Sequence, residues 1–195
     1  DQDAFAYWSQ QKVAQATERG FFADELVPVV IPSKRGEPVV FSTDEFPKAS
    51  TSIEKLASLR PAFKSNGTVT AGNASGLNDG AISVLIGSEA GVKHVGNKPL
   101  ARIVSAAISG VEPRIMGIGP VEASRKALQR AGLTMDQMDV IELNEAFAAQ
   151  VLACTRQLGL ADNDPRINPN GGAIALGHPL GMTGARILLT AARQL

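Results

Sequence analysis

Residues 168–186, NPNGGAIALGHPLGMTGAR, place one of the two histidines of the chain, His178, between Gly177 and Pro179 in a segment with five glycines. Glycine-rich turns beside helices often bind phosphate groups through backbone N–H groups. A histidine held in such a turn is instead suited to proton transfer. The two interpretations predict different proteins, and the spacing of the glycines helps to separate them.

The glycine spacing does not fit a nucleotide site. Gly172 and Gly177 match the glycines of G-x-x-x-x-G-K-[ST], but neither the lysine nor the hydroxyl residue follows them. The glycines from Gly177 onward are spaced four and three residues apart, which does not match G-x-G-x-x-G. A nucleotide phosphate site is therefore poorly supported.

The surroundings of His178 favour a chemical role. Pro179 restricts the preceding residue to extended backbone conformations, and the glycines permit close approach of another segment or a substrate. We therefore interpret His178 as a general acid–base group or as a donor in an oxyanion hole. The alternative is a structural histidine that only hydrogen-bonds across its loop. His94, in a polar segment, is expected to lie on the surface.

Alternating strand and helix patterns surround this segment. Pro120 at the start and Gly132 just past the end of one pattern are typical of a helix. The patterns predict strands at 101–110 and 138–143, helices at 119–132 and 144–159, and a third strand–turn unit at 168–181 leading into a helix at 182–195. This order predicts a parallel α/β sheet whose functional groups gather at the carboxyl ends of the strands.

The first half of the chain is less regular. Apolar spacing predicts a helix over residues 3–19 that ends at Gly20. Two short edge strands at 25–32 and 37–41 and a short helix at 51–59 follow. A run of glycine and small residues at 67–80 precedes a predicted strand at 81–86. That run either brings a ligand close to the backbone or lets packed elements cross tightly.

The junction at Asn144 and Glu145 puts two polar side chains where a strand gives way to a helix. Asn144 could cap the helix, and Glu145 could complement its dipole. The functional alternative is that Asn144 points its amide at a ligand or a catalytic water. Two distant histidines and the single Cys154 show no metal-binding spacing, so we expect no metal site.

Composition limits the class of protein. The 195 residues are 44% apolar and 19% charged, with zero net charge, which is ordinary for a soluble globular chain of one domain or slightly more. A basic face for nucleic acid, a membrane span and an internal disulfide framework are not expected. A cytoplasmic location is the default, with a removed targeting segment left open. The chain starts and stops inside helical patterns, so we expect a piece of a longer protein.

Several segments together resemble the thiolase family, the acetyl-CoA acetyltransferases and 3-ketoacyl-CoA thiolases. They are GNASGLNDGA, NEAFAAQ and NGGAIALGHPLGMTGAR, with further similarity in DQDAFAYWSQ, LRPAF and IMGIGPVEAS. The resemblance implies a thiolase-like layered α/β fold. It divides the chain into part of a CoA-covering loop domain (1–78), the last segment of the N-terminal domain (79–99) and most of the C-terminal βαβαβα domain (100–195).

The resemblance also implies a chemistry. Thiolases make or break a carbon–carbon bond between a ketoacyl unit and acetyl-CoA through an acyl-cysteine intermediate. His178 matches the histidine that activates the cysteine and helps hold a thioester oxygen. Asn144 matches the asparagine whose bound water completes the oxyanion hole, and Glu145 has a supporting role. CoA and acyl-CoA are then substrates, with no tightly bound cofactor, and the intact protein is expected to be a homodimer or homotetramer.

The resemblance places several residues along the CoA chain. Ser75 matches a serine that contacts the pantetheine arm, and Lys48 stands where relatives often carry an arginine near the nucleotide. That exchange keeps the charge but loses the forked donor geometry of arginine. The remaining positions match the walls of the CoA site: Ala71, Ala74, Phe63 and Phe147.

Both catalytic cysteines of the resemblance are absent. Cys154 lies inside a predicted helix, and we interpret it as buried and inert. The chain alone is therefore predicted to lack thiolase turnover and to expose apolar surface that favours self-association or partial disorder. Two alternatives remain: a related condensing enzyme, and a non-catalytic acyl-CoA or lipid-binding relative.

Overall fold

The computed structural model describes residues 1–96 and 98–195. Asn97, within the predicted 79–99 segment, lies outside the described residues. The helices are α1 (Gln2–Glu18), α2 (Ile53–Ala57), α3 (Glu89–Val95), α4 (Gly119–Ala131), α5 (Ala148–Gln157), α6 (Ala173–Leu176) and α7 (Leu180–Gln194), and the strands are β1 (Val29–Ile31) and β2 (Val39–Phe41). Short 3₁₀ turns lie at Ala23–Glu25, Pro113–Ile118 and Met135–Gln137. Within the described residues, no helix is both long and apolar enough to cross a membrane.

The core lies where α1 meets α2, α5 and α6. Phe5 and Val13 of α1 lie on the buried side of the helix because helical side chains three or four apart share a face. The central apolar cluster removes its side chains from water, which is the main favourable term in folding. It consists of Phe5, Ala6, Leu56, Ala148, Val151, Leu152 and Ile174.

Glycines end three of the predicted helices. Gly20, Gly132 and Gly159 follow α1, α4 and α5 with φ of +73°, +68° and +78°, in the left-handed region that favours glycine. Pro120 lies in the first turn of α4, where its missing N–H costs no helical hydrogen bond. These helix predictions are confirmed.

The two predicted edge strands form an antiparallel hairpin. Val30 of β1 pairs with Val40 of β2, and the pairing covers three residues on each strand. All six strand residues are exposed, so both faces of the hairpin lack a covering layer among the described residues.

The predicted strands at 81–86, 101–110 and 138–143 are not formed as strands. A strand exists through hydrogen bonds to a neighbour, and no described segment pairs with the first two. Residues 138–143 contribute one parallel bridge, between Ile141 and Ile167, and the 168–181 unit forms the short helix α6. Leu85 and Ile108 are 83% and 91% exposed. These apolar segments therefore have strand-like sequences but no partner strand in the described part of the chain.

Candidate functional site

His178 and Asn144, the two predicted catalytic residues, lie side by side in the structure. Asn144 Nδ2 lies 3.2 Å from His178 Nε2, although 34 residues separate the two along the chain. On the other side of the ring, His178 Nδ1 lies 2.8 Å from Thr183 Oγ1. The Thr183 hydroxyl is buried and donates to the Pro179 carbonyl at 2.7 Å.

These contacts select one tautomer of the imidazole. The Thr183 hydroxyl has a single proton, and it is used on Pro179, so the oxygen must accept from His178 Nδ1–H. A neutral ring then presents an unprotonated Nε2, which accepts from the Asn144 amide. The arrangement gives a base at Nε2 and an amide N–H beside it.

The environment favours the neutral form of His178. Burial lowers the pKa of the imidazole below its usual value, and the nearby positive charge of Arg186 lowers that pKa further. Arg186 is held in place by donating to the Gly177 carbonyl at 2.9 Å. His178 is therefore free to accept a proton at neutral pH, as a general base requires.

The glycine-rich segment at 67–80 packs directly on the His178 loop. His178 N–H donates to the Gly76 carbonyl at 3.0 Å. Gly177 has a φ of +84°, and a side chain there would overlap the Asn78 side chain. A Cβ added at Gly80 would lie 2.6 Å from Pro179 Cγ. The glycines thus serve a tight crossing of two segments, which was one of the two alternatives for this run.

Four of the six predicted CoA-site residues lie on or beside the segment that follows Asn144. Ala74 and Phe147 form an antiparallel bridge, and Ser75 N–H donates to the Ala146 carbonyl at 3.0 Å. The Ser75 hydroxyl also points to that carbonyl, at 3.3 Å. Phe63 packs edge-to-face on Phe147 with ring centroids 6.0 Å apart, and 73% of Phe63 remains exposed. This pair forms an apolar wall open to solvent.

The other two residues lie further out. Lys48 Nζ lies 5.5 Å from the centroid of the Phe46 ring, and its backbone N–H donates to Gln10 Oε1 at 2.8 Å. Lys48 and Asn78 line an open cleft of about 540 Å³ between the hairpin and the body. Ala71 is exposed. Among the hydrogen bonds of the described residues, none joins Lys48 or Ala71 to His178 or Asn144.

The capping interpretation of Asn144 is wrong. Helix α5 begins at Ala148 with Phe147 as its N-cap, so Asn144 lies outside the helix and its amide faces His178 instead. Glu145 also lies outside α5, and the hydrogen-bond donors to its carboxylate come from other segments. It is 1% exposed and accepts hydrogen bonds from Ser9 Oγ at 2.7 Å and from Asn168 Nδ2 at 2.8 Å.

Sequence reasoning missed three buried polar residues around the site: Ser9, Asn168 and Thr183. A signal was available for Ser9, because it lies four residues from both Phe5 and Val13 and so shares their buried face. Asn168 lies in a loop, and Thr183 lies near the start of α7. Polar side chains are common at such positions, so the sequence alone does not mark these two.

Cys154 is fully buried in α5, as predicted. Its Sγ lies 3.3 Å from the Gly117 carbonyl, and burial raises the pKa of the thiol above its usual value. A thiol in this state is a poor nucleophile. Among residues 1–96 and 98–195 no cluster of histidine, cysteine and acidic side chains could hold a metal ion.

Comparison with known families identifies the chain. The family described as "Thiolase, N-terminal domain" matches residues 1–90, and "Thiolase, C-terminal domain" matches residues 97–195. A β-ketoadipyl-CoA thiolase of Acinetobacter baylyi is 62% identical over 195 residues, covering 100% of this chain and 49% of its own length. An acetyl-CoA acetyltransferase of Syntrophomonas wolfei is 57% identical over 190 residues, covering 97% of this chain and 48% of its own length.

Solved structures agree. Human mitochondrial 3-ketoacyl-CoA thiolase matches with a TM-score of 0.91 and 47% identity, and the same protein in complex with CoA matches with 0.89 and 48%. Each match covers all of this chain and 48% or 47% of the human chain. The fold is therefore α/β and thiolase-like, as predicted. The chain belongs to the thiolase family, and it spans about half the length of the relatives it matches.

Proposed function

We propose that this chain is the part of a longer acyltransferase that supplies the base and the oxyanion contacts for thiolase chemistry. The supporting observation is the Asn144–His178–Thr183 arrangement, in which an unprotonated Nε2 lies 3.2 Å from an amide N–H. In this proposal His178 Nε2 accepts the thiol proton of a cysteine, and the thiolate attacks the keto carbonyl of a 3-ketoacyl-CoA.

The same two side chains then stabilise charge. When the bond between the α- and β-carbons breaks, its electron pair passes to the thioester, whose oxygen becomes negative and accepts from His178 Nε2–H and from a water held by Asn144. Protonation of the α-carbon by an acid outside this chain releases acetyl-CoA, and the acyl group stays on the cysteine until the thiol of a second CoA accepts it. The cysteine comes from outside this chain, because Cys154 is fully buried in α5 and cannot reach a substrate. We therefore propose that the 195-residue chain alone has no turnover.

The CoA moiety is proposed to lie along the open side of the site. Phe63 and Phe147 offer an apolar wall for the pantetheine arm, and the Ser75 hydroxyl can still accept from its amides. Ala71 and Ala74 complete this wall, and Lys48 offers a positive charge to the phosphates of the nucleotide. The human neighbour solved with CoA supports this ligand class.

The first substrate to test is β-ketoadipyl-CoA, because several relatives at 55–62% identity are named for it. Acetoacetyl-CoA is the second, since other relatives are named acetyl-CoA acetyltransferases. The division of the chain at residues 78 and 99 and a dimeric or tetrameric assembly belong to the same proposal.

The test is CoA-dependent cleavage of both substrates by the full-length protein that contains this chain, with and without His178→Ala. We expect a loss of about 10²- to 10⁴-fold in kcat for H178A, the usual contribution of a general acid–base group. His94→Ala, at an exposed position in α3, is the matched control and should keep the wild-type rate. The isolated 195-residue chain should show no cleavage.

Each alternative outcome is informative. Robust activity that survives H178A would remove His178 from the mechanism. A full-length wild type that binds acyl-CoA but cleaves neither substrate, nor longer 3-ketoacyl-CoA esters, would identify a non-catalytic relative. Turnover by the isolated chain, after contaminating enzyme is excluded, would contradict the assignment of the nucleophile to another part of the protein.

A further inference from the structure

One buried asparagine holds the backbone on both sides of Asn144. The amide of Asn168 pairs with Leu143 as a neighbouring strand would. Its Oδ1 accepts from Leu143 N–H at 2.8 Å, and its Nδ2 donates to the Leu143 carbonyl at 2.8 Å. The same Nδ2 donates to Glu145 Oε1 at 2.8 Å. One side chain thus fixes the residues that precede and follow Asn144.

Glu145 is the second residue near Asn144 whose side chain is held by several hydrogen bonds. Ser9 Oγ and Ile174 N–H donate to its Oε2 at 2.7 and 3.1 Å, so donors reach both carboxyl oxygens. A carboxylate accepts only, whereas a protonated acid must also donate. The three donors therefore match the charged form and oppose the burial that raises the pKa of Glu145.

The Glu145 carboxylate also binds the segment of chain that leads to His178. Ile174 belongs to α6, which ends at Leu176, two residues before His178. Ser9 Oγ, besides donating to Glu145, accepts from Gly172 N–H at 3.1 Å. A side chain at Gly172 would overlap the Glu145 carboxyl group. Glu145 is therefore connected to both residues of the Asn144–His178 contact. It follows Asn144 directly in the sequence, and it binds α6, which leads to His178.

The backbone of Asn168 is itself unusual. It is the one non-glycine residue of the described chain with a positive φ, +43°. Asparagine adopts this region more readily than most residues, but the conformation is still strained for a residue with a side chain. The conformation directs the amide at Leu143 and Glu145, so the strain is offset by three hydrogen bonds.

We infer that Asn168 and Glu145 are positioning residues that together set the geometry of the Asn144–His178 pair. This inference rests on the proposed thiolase function. Neither residue touches the substrate: both are 1% exposed and lie behind the site. Losing either one should leave CoA binding intact and lower the rate of the chemical step.

The test uses the full-length protein with Glu145→Gln and Asn168→Asp. Both changes keep the side-chain size. E145Q replaces one acceptor oxygen of the carboxylate by a donor, and N168D removes the donor that reaches both the Leu143 carbonyl and Glu145 Oε1. We expect kcat to fall about 10- to 100-fold, the scale of a small misplacement of reacting groups, while KM for CoA stays within about 2-fold. Val121→Ala in α4 is the control, because it destabilises a buried position outside this network.

The pH dependence of N168D separates positioning from general destabilisation. The new carboxyl group faces Glu145, so the two share one proton at low pH and repel when both are ionised at high pH. The ratio of N168D to wild-type kcat should therefore rise as the pH falls. The other charged groups near Glu145 are Lys12, Glu142 and Arg186, and they are common to both proteins. V121A should show a ratio independent of pH.

A crystal structure of E145Q gives a readout that does not depend on activity. We expect Asn144 Nδ2 and His178 Nε2 to separate beyond hydrogen-bonding distance. An unchanged 3.2 Å contact, an unchanged kcat, or a loss equal to that of V121A would overturn the inference. A wild type without thiolase activity would refute the proposed function alone, and the E145Q distance would still decide the positioning role. If both variants fail to fold, Ser9→Ala, which removes one donor, should lower kcat about 3- to 10-fold at constant KM.

Discussion

At the scale of single residues, the Thr183 hydroxyl decides which nitrogen of His178 carries the proton. Thr183 Oγ1 gives its only proton to Pro179 and must accept from Nδ1. The opposite nitrogen, Nε2, is thereby left as a base toward Asn144. The chemistry of the site therefore depends on a side chain five residues further along the chain.

Replacing Thr183 by valine tests this dependence. T183V keeps the shape of the buried side chain and removes the acceptor for Nδ1–H, so the ring is free to change tautomer and orientation. We expect kcat of the full-length enzyme to fall about 10-fold, corresponding to roughly 1.4 kcal/mol for one hydrogen bond.

Thr183→Ser is the matched control, because it keeps the hydroxyl and should retain most of the rate. Nitrogen NMR of the His178 ring gives a direct reading of the tautomer. Equal rates for T183V and T183S would show that the tautomer is fixed by another contact.

The sequence predicted that His178 and Asn144 belong to the candidate site, but it did not indicate the side chains that hold them. His178 and Asn144 stood out because proline, glycine and a strand–helix junction mark their positions. The partners Thr183, Asn168 and Ser9 are ordinary polar residues whose role comes from contacts with distant segments. Ser9, for example, lies 136 residues from Glu145 along the chain. Local patterns do not carry that information.

At the scale of elements, the five glycines of residues 168–186 divide into two kinds. Gly171 and Gly177 have positive φ, and together with Gly172 they have no space for a side chain. Gly181 and Gly184 lie in α7, where an added Cβ meets no described atom within 4 Å. Only the first kind is required for the close crossing that places His178.

Alanine substitution should separate the two kinds. G177A introduces a Cβ that overlaps Asn78 and forces an unfavourable φ, so we expect His178 to shift and kcat to fall at least 10-fold. G184A should leave kcat unchanged and stabilise α7 by up to about 1 kcal/mol, the helix-propensity difference.

Each variant adds one methyl group to the wild-type protein, at a different position in the same segment. Each variant is therefore a control for the other. Assays and thermal unfolding of the full-length protein provide the measurements. A fully active G177A would mean that the crossing at Asn78 tolerates a side chain, contrary to the packing in the structure.

Helices were predicted better than strands for a physical reason. The stops at Gly20, Gly132 and Gly159 are local, because a helix satisfies its own backbone hydrogen bonds. A strand needs a neighbour, and residues 81–86 and 101–110 have none among the described residues. Among the described residues, β1 and β2 form strands because each has its pairing partner close by in the sequence.

At the scale of the whole molecule, the two segments without a partner strand, residues 81–86 and 101–110, leave apolar side chains exposed. Leu85 and Ile108 are almost fully exposed, and Ile103 and Val104 are 54% and 60% exposed. Contiguous exposed apolar surface and unpaired backbone groups favour association with other chains.

We therefore expect the isolated 195-residue chain to self-associate. Light scattering after size exclusion at about 10–100 µM should show species larger than a monomer. The double variant L85K/I108K should shift the chain toward the monomer, because it places charges on this surface.

V27K/M116K is the matched control: it adds the same charges at residues that are 80% and 75% exposed outside the two segments. It should leave the association unchanged. A wild-type chain that stays monomeric across this range would contradict the expectation.

The burial of Cys154 has a practical consequence for chemical labelling. It is the one cysteine of the chain, its side chain is closed to solvent, and its thiol is held protonated by burial. An electrophile such as iodoacetamide should therefore not alkylate Cys154 while the chain is folded. In the full-length protein, any rapidly alkylated cysteine would lie outside these 195 residues. Its rate of modification, compared with that in H178A, would test the proposed activation by His178 without a background from Cys154.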